Sequence, residues 1–194
     1  MYNSILLTEL SRVTDYSDSD FAKTLPLFEP LQVKKGEHLF RTGDIADKVY
    51  FVEKGCLRQY YINNSGDERN IYFQLENGWC SELVSLLYNK PTDLNLQALE
   101  ASKLLVINQK NWIYAVTHIP SFTMYFIKAQ QPHNYKLKRR LAEATVETPE
   151  EKYTRFVKEE AHLLQRIPLF QIAAYLGMTP ETLSRIRKRT AKKK

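Results

Sequence analysis

Residues Leu169–Arg189 read LFQIAAYLGMTPETLSRIRKR, and the order of apolar, turn and charged positions in this stretch governs the rest of the chain. Ile172, Ala173 and Leu176 fall at helical spacing and predict the buried stripe of a first helix. Gly177 ends that helix, because glycine takes the left-handed backbone that such a stop requires. Thr179 predicts the N-cap of a second helix, Pro180 its first position, and Leu183 and Ile186 its inward face. The pattern is that of a helix-turn-helix. Glu181, Arg185, Lys188 and Arg189, at offsets of 0, 4, 7 and 8, share one outward face, with Thr182 and Ser184 beside it. A basic face with one acid near the helix start suits a major groove: arginine can bond guanine twice, glutamate can accept from the cytosine amino group, and lysine can neutralise phosphate. The competing interpretation is an ordinary helical hairpin with a solvated cationic face.

The charge is distributed to match. Residues 1–118 hold 12 basic and 15 acidic side chains, whereas residues 119–194 hold 16 and 7, so the whole positive excess is C-terminal. The last ten residues, RIRKRTAKKK, carry seven cations and no anion. Upstream, Thr148-Pro149-Glu150-Glu151 has the form of a capping box, with Thr148 as cap, Pro149 at the first helical position and Glu151 returning to the cap. A helical domain is therefore expected over 148–194. Before it, Ser121–Glu143 places Phe122, Tyr125, Phe126 and Ala129 on one apolar stripe, which predicts a long helix kinked or broken at Pro132.

The N-terminal part follows a different rule. Five of the six glycines lie in the first 80 residues, separating short Val-, Ile-, Tyr- and Phe-rich runs such as VYFVEKG, CLRQYYI and RNIYFQL, with SKLLVIN further on. INNSGDER reads as a hairpin loop, and Val49, Phe51 and Glu53 are expected on the opposite face of their strand from Tyr50 and Val52. Such spacing predicts a sandwich or jelly roll. A short helix capped at Ser17 or Asp18 and stopped at Pro26 leads into it.

The A-x-x-L-G-x-T-x-E-T-x-S-R pattern of Ala173–Arg185 resembles the DNA-binding domain of the Crp/Fnr superfamily of transcription regulators. KKGEHLFRTGDIADKVYFVEKGCLRQYY is similar to that family's cyclic-nucleotide-binding β roll, with Gly36, Gly43 and Gly55 at matching turns. The resemblance implies an α+β chain: a jelly-roll sensory domain over 1–118, a dimerisation helix and hinge over 119–147, and a helix-turn-helix domain over 148–194 whose wing is truncated or missing. It implies a homodimer on a pseudo-palindromic double-stranded operator, with RNA polymerase as a further partner and a small-molecule effector of unknown identity. Thr179, Glu181, Thr182, Ser184, Arg185, Lys188 and Arg189 form the expected DNA-binding set, with Glu181 and Arg185 as base readers and Ser184 on phosphate. Pro180 stands where many members have arginine.

A second departure falls in the phosphate-binding cassette, which in the family reads Gly-Glu-Leu with arginine ten residues after the glutamate. Here the expected ligand pocket is Cys80, Ser81, Glu82, Leu83, Thr92 and Asp93, with Thr92 at the arginine position. Glutamate accepts from a ribose hydroxyl, whereas arginine is the group that neutralises a cyclic phosphate. Cyclic AMP is accordingly not the expected effector. The alternative class is a ligand-binding regulatory module that acts on a protein partner.

Other chemistry has no support in the residues. His38, His118, His133 and His162 are scattered without metal-ligand spacing, two cysteines make no disulfide framework, and no nucleophile elbow appears. No metal, cofactor or catalytic residue is expected. The 17-residue uncharged run Asn111–Ile127 is too polar for a membrane span, and MYNSILLTELSR lacks a basic leader, so a cytoplasmic protein is expected.

Overall fold

The computed structural model describes residues 3–143 and 146–191. Helix α1 (Asn3–Val13) and helix α2 (Asp18–Thr24) lead through a 3-10 turn at Leu25–Leu27 into eight strands. These are β1 (Glu29–Val33), β2 (His38–Phe40), β3 (Lys48–Lys54), β4 (Leu57–Ile62), β5 (Glu68–Gln74), β6 (Trp79–Ser81), β7 (Asn95–Ala98) and β8 (Ser102–Asn108). Helix α3 (Leu83–Tyr88) interrupts them, and helices α4 (Gln109–His118) and α5 (Pro120–Glu143) follow. Ser17 caps α2, as expected, by accepting from the Asp20 N–H at 3.0 Å. Helix α1 has no counterpart in the sequence expectations.

The strands form two four-stranded sheets, ordered β1-β8-β3-β6 and β2-β7-β4-β5. The β4–β5 hairpin turns at Asn63–Asp67, where the Asn63 side chain accepts from the Ser65 and Asp67 N–H groups. Gly55, at φ 117°, joins β3 to β4 with no room for a side chain: a Cβ there would lie 2.1 Å from the Ser102 hydroxyl. Along β3 all five residues Val49–Glu53 are buried. Val49 and Phe51 lie in the core cluster that α1, α4 and α5 complete, and Tyr50 and Val52, outside that cluster, are buried as well. A register shift between Val52 and Lys54 takes Glu53 out of the β3–β8 pairing.

One expectation for α5 is narrowed and one is corrected. Of the two alternatives at Pro132, a break is excluded, because one helix runs through it; proline removes one backbone donor, and the Gln131 side chain donates to the Ile127 carbonyl in the preceding turn at 3.1 Å. The apolar stripe of the expected dimerisation helix, Phe122, Phe126 and Ala129, lies in or against the protomer's own core together with Tyr125, and so is not free to meet a second copy. Trp112 and Phe126 meet edge to face at 4.3 Å between ring centres, and Trp79 and Phe126 at 4.8 Å, over a floor of Leu6 and Leu10. Burying Leu6 and Leu10 is what α1 contributes.

The chain folds as two compact units: residues 1–59 with 73–135, and residues 60–72 with 136–194. The second unit thus contains the outer end of the β4–β5 hairpin and the last turns of α5. It continues with α6 (Pro149–Glu160), a 3-10 turn at Ala161–Gln165, α7 (Leu169–Leu176) and α8 (Pro180–Ala191).

Candidate nucleic-acid interface

Local chemistry sets the frame of the second unit. Thr148 caps α6 by accepting from the Glu151 N–H at 3.3 Å, and the Glu151 carboxylate accepts from the Thr148 N–H at 2.8 Å, closing the box that the sequence predicts. Helix α7 ends at Gly177 with φ 70°. The Thr179 hydroxyl then accepts from the Thr182 N–H at 3.2 Å and starts α8. Tyr153 and Phe156 of α6, Ile172, Ala173 and Tyr175 of α7, Met178, and Leu183 and Ile186 of α8 are buried, so α8 is held by its inner face.

The opposite face of α8 is exposed. Glu181, Ser184, Arg185, Lys188 and Arg189 are exposed, as is Thr179, while Thr182 is half-buried. The structure therefore brings the seven predicted residues onto one helix and its cap. The Glu181 carboxyl lies below the usual carboxylate range because its own backbone N–H and the Thr179 hydroxyl donate to it, with Arg185 adding attraction. It is an acceptor at neutral pH. Arg185 donates through Nη2 to the Thr182 hydroxyl at 3.4 Å, which leans the guanidinium along the helix. Arg189 sits 3.4 Å from the Glu150 carboxylate at the start of α6, so one of the expected cations is shared with an acid. Arg187 is exposed as well and was not in the predicted set. It falls between the stripe positions, away from Leu183 and Ile186, which are the fully buried residues of α8 among those described. Lys192, Lys193 and Lys194 lie outside the described residues.

The expected ligand-pocket residues are largely committed to the backbone. Cys80 is buried in β6, and Ser81 pairs with Val49 in the β3–β6 ladder. Glu82 is the N-cap of α3 and accepts from the Val84 N–H at 3.2 Å, while Leu83 opens that helix exposed. Thr92 is only 4% exposed; its hydroxyl accepts from the Leu94 N–H at 3.0 Å, and its own N–H donates to the Asp44 carbonyl at 2.9 Å. Asp93 is exposed, with its carbonyl accepting from the Thr42 hydroxyl at 3.1 Å. A buried cation does exist in this unit. Arg58 on β4 is 4% exposed and donates through Nε to the Gln97 side chain at 2.8 Å. No sequence signal pointed to it, because an arginine on a half-polar strand reads as outward. Among the described residues, no three His, Cys, Asp or Glu side chains gather where they could hold a metal, and no helix is long and apolar enough to cross a membrane.

A family model for the cyclic nucleotide-binding domain matches residues 30–116. The chain is 27% identical over 167 residues to the transcriptional activator protein Anr of Pseudomonas protegens, covering 79% of this chain and 67% of that one. It is 26% identical over 175 residues to the cyclic AMP receptor protein of Thermus thermophilus, covering 84% and 76%. The sequence is thus similar to those of transcription regulators of the Crp/Fnr type. Among solved structures, that of FixK2 from Bradyrhizobium japonicum superposes with a TM-score of 0.74 at 17% identity, over 86% of this chain and 85% of that one, a likeness of fold. In this chain the domain match spans β1 to most of α4, and the helix-turn-helix follows at α7 and α8.

Proposed function

We propose that the chain is a homodimeric, sequence-specific DNA-binding transcription regulator working in the cytoplasm, with α8 in the major groove and an effector other than cyclic AMP. The observation that carries this is the exposed face of α8, where Glu181, Ser184, Arg185 and Lys188 project from a helix anchored by Leu183 and Ile186. Glu181 and Arg185 read base edges, Thr179, Thr182 and Ser184 bond sugar and phosphate oxygens, and Lys188, with Arg189 where Glu150 releases it, neutralises phosphate. The relatives it resembles are regulators and not enzymes, and no catalytic role is assigned.

The dimer seam is the side of α5 turned away from the core. Met124, Ile127 and Tyr135 are exposed there at helical spacing, and Ile127 is 54% exposed although it directly follows the buried Phe126. Two copies joined along this line present two α8 helices to successive major grooves, about 34 Å apart. On the ligand side, the cassette has no guanidinium at position 92, so a cyclic phosphate finds no charge partner there. Selection from a random DNA library followed by titration of the selected sequence tests the function. A pseudo-palindrome bound at nanomolar concentration supports it; uniform, salt-sensitive binding to all sequences contradicts it.

A further inference from the structure

The end of α5 is gripped by the helices that follow it. Arg139 bonds Glu143 one turn on at 2.8 Å and Glu159 of α6 at 2.6 Å. Arg155 of α6 reaches back to Glu143 at 3.0 Å and holds the linker residue Glu147 through Nε and Nη2, at 2.9 and 2.8 Å. Lys136 bonds the buried Glu160 of α6 at 2.6 Å, and the Tyr175 hydroxyl of α7 donates to the same carboxylate at 3.2 Å. Arg140 lies 3.9 Å above the Tyr175 ring and donates to the Tyr175 carbonyl at 3.1 Å. Four side chains within two turns of α5 thus engage α6 and α7. Arg155 and Glu147 are 16% and 17% exposed, which sets them apart from solvent-screened surface pairs.

Such a clasp spans the α5–α6 linker, and Lys136 to the end of α8 lies in one compact unit. From this geometry we infer that Arg139 and Arg155 are positioning residues for operator spacing. They remove freedom at the linker, so the recognition helix keeps a fixed attitude to the end of α5, and a dimer accepts one separation of half-sites. Neither residue needs to touch DNA. The inference rests on the proposed function, since spacing has meaning only for a dimer on a two-part operator. Moving one half-site by a base pair shifts it about 3.4 Å and rotates it about 35°. A rigid elbow cannot follow that change, and a loosened one can.

The test uses the full chain on its selected operator and on copies with one base pair added or removed between the half-sites. Wild type is expected to lose at least about tenfold in affinity on either altered spacing. Arg155→Met, which keeps the length of the stem, should lose less than about threefold, with weaker binding to the selected spacing, while Arg155→Lys should recover much of the discrimination. Arg139→Met, at a more exposed position, is the second variant and decides the matter if Arg155→Met does not fold by circular dichroism. Folded variants that keep the full wild-type penalty overturn the inference while leaving the DNA-binding function standing. A wild type indifferent to spacing overturns the inference as well, whereas uniform binding to all sequences removes the DNA-binding function on which it rests.

Discussion

The Tyr125 hydroxyl donates to the Glu9 carboxylate at 2.9 Å, joining α5 to α1 across 116 residues of sequence. It also accepts from the Trp79 indole N–H at 2.8 Å, and Glu9 in turn accepts from Nε and Nη2 of Arg12. Burial, opposed by the Trp79 hydrogen bond, pushes the Tyr125 phenol up, so it remains a donor. Tyr125→Phe strips a donor from a buried carboxylate and an acceptor from the indole. Its expected cost is about 1–3 kcal/mol, read as a lower denaturant midpoint with unchanged slope. An unchanged midpoint would show that the chain of bonds carries no net stability.

The two sides of α5 separate by mutation. Phe122→Ala opens a cavity among Trp112, Phe28 and Phe126 and should cost about 3–5 kcal/mol of protomer stability. Ile127→Glu should leave the thermal unfolding of the protomer nearly unchanged and shift sedimentation from dimer to monomer at micromolar concentration. Dimerisation that survived Ile127→Glu and Met124→Glu together would refute the seam.

Acid should loosen the elbow of the second unit. The Glu147 carboxyl is held below its ordinary value of 4.5, first by hydrogen bonding to Arg155, and the Glu151 carboxyl is lowered by the Thr148 backbone N–H and hydroxyl. A depressed folded-state value contributes stability that is present above 4.5 and is lost as pH falls through the folded value. Melting temperature should therefore drop below pH 4.5. Glu147→Gln should start lower at pH 7 and fall less on acidification; a variant curve parallel to wild type would remove Glu147 from the linkage.

Cyclic AMP should bind at millimolar concentration or not at all. Removing the guanidinium partner of a buried phosphate costs about 3–5 kcal/mol, or two to three and a half powers of ten in affinity. Thr92→Arg is a poor rescue, because Thr92 is buried and its hydroxyl holds the turn at Leu94. Calorimetry on wild type is the direct check, and low-micromolar binding would contradict this.

What could be read from the sequence is what local chemistry decides. Thr148-Pro149-Glu150-Glu151, Gly177 and Thr179-Pro180 mark helix ends through contacts three or four residues away, and the glycine turns and hairpin loop are equally short-range. Long-range pairings stayed hidden. The stripe of Phe122 and Phe126 was visible, but its partner depended on Trp79, Trp112 and α1 arriving from elsewhere. The burial of Arg58 depends on Gln97, 39 residues on. Pro132 stays within a helix because the cost of one missing donor is small beside the packing of the turns before it. At the interface, α8's face was legible because period alone sets it, whereas the hold of Glu150 on Arg189 required the packing of α6 against α8.

The most direct test of base reading by α8 is one titration series on the selected operator and on random DNA, at several salt concentrations, for wild type, Arg185→Ala and Lys188→Ala. Arg185→Ala should cost about 1–3 kcal/mol on the operator and little on random DNA. Lys188→Ala should weaken both and flatten the plot of log affinity against log salt by about 0.9. Equal losses on both DNAs for Arg185→Ala, with specificity altered only by Lys188→Ala, would contradict the assignment of base reading to Arg185.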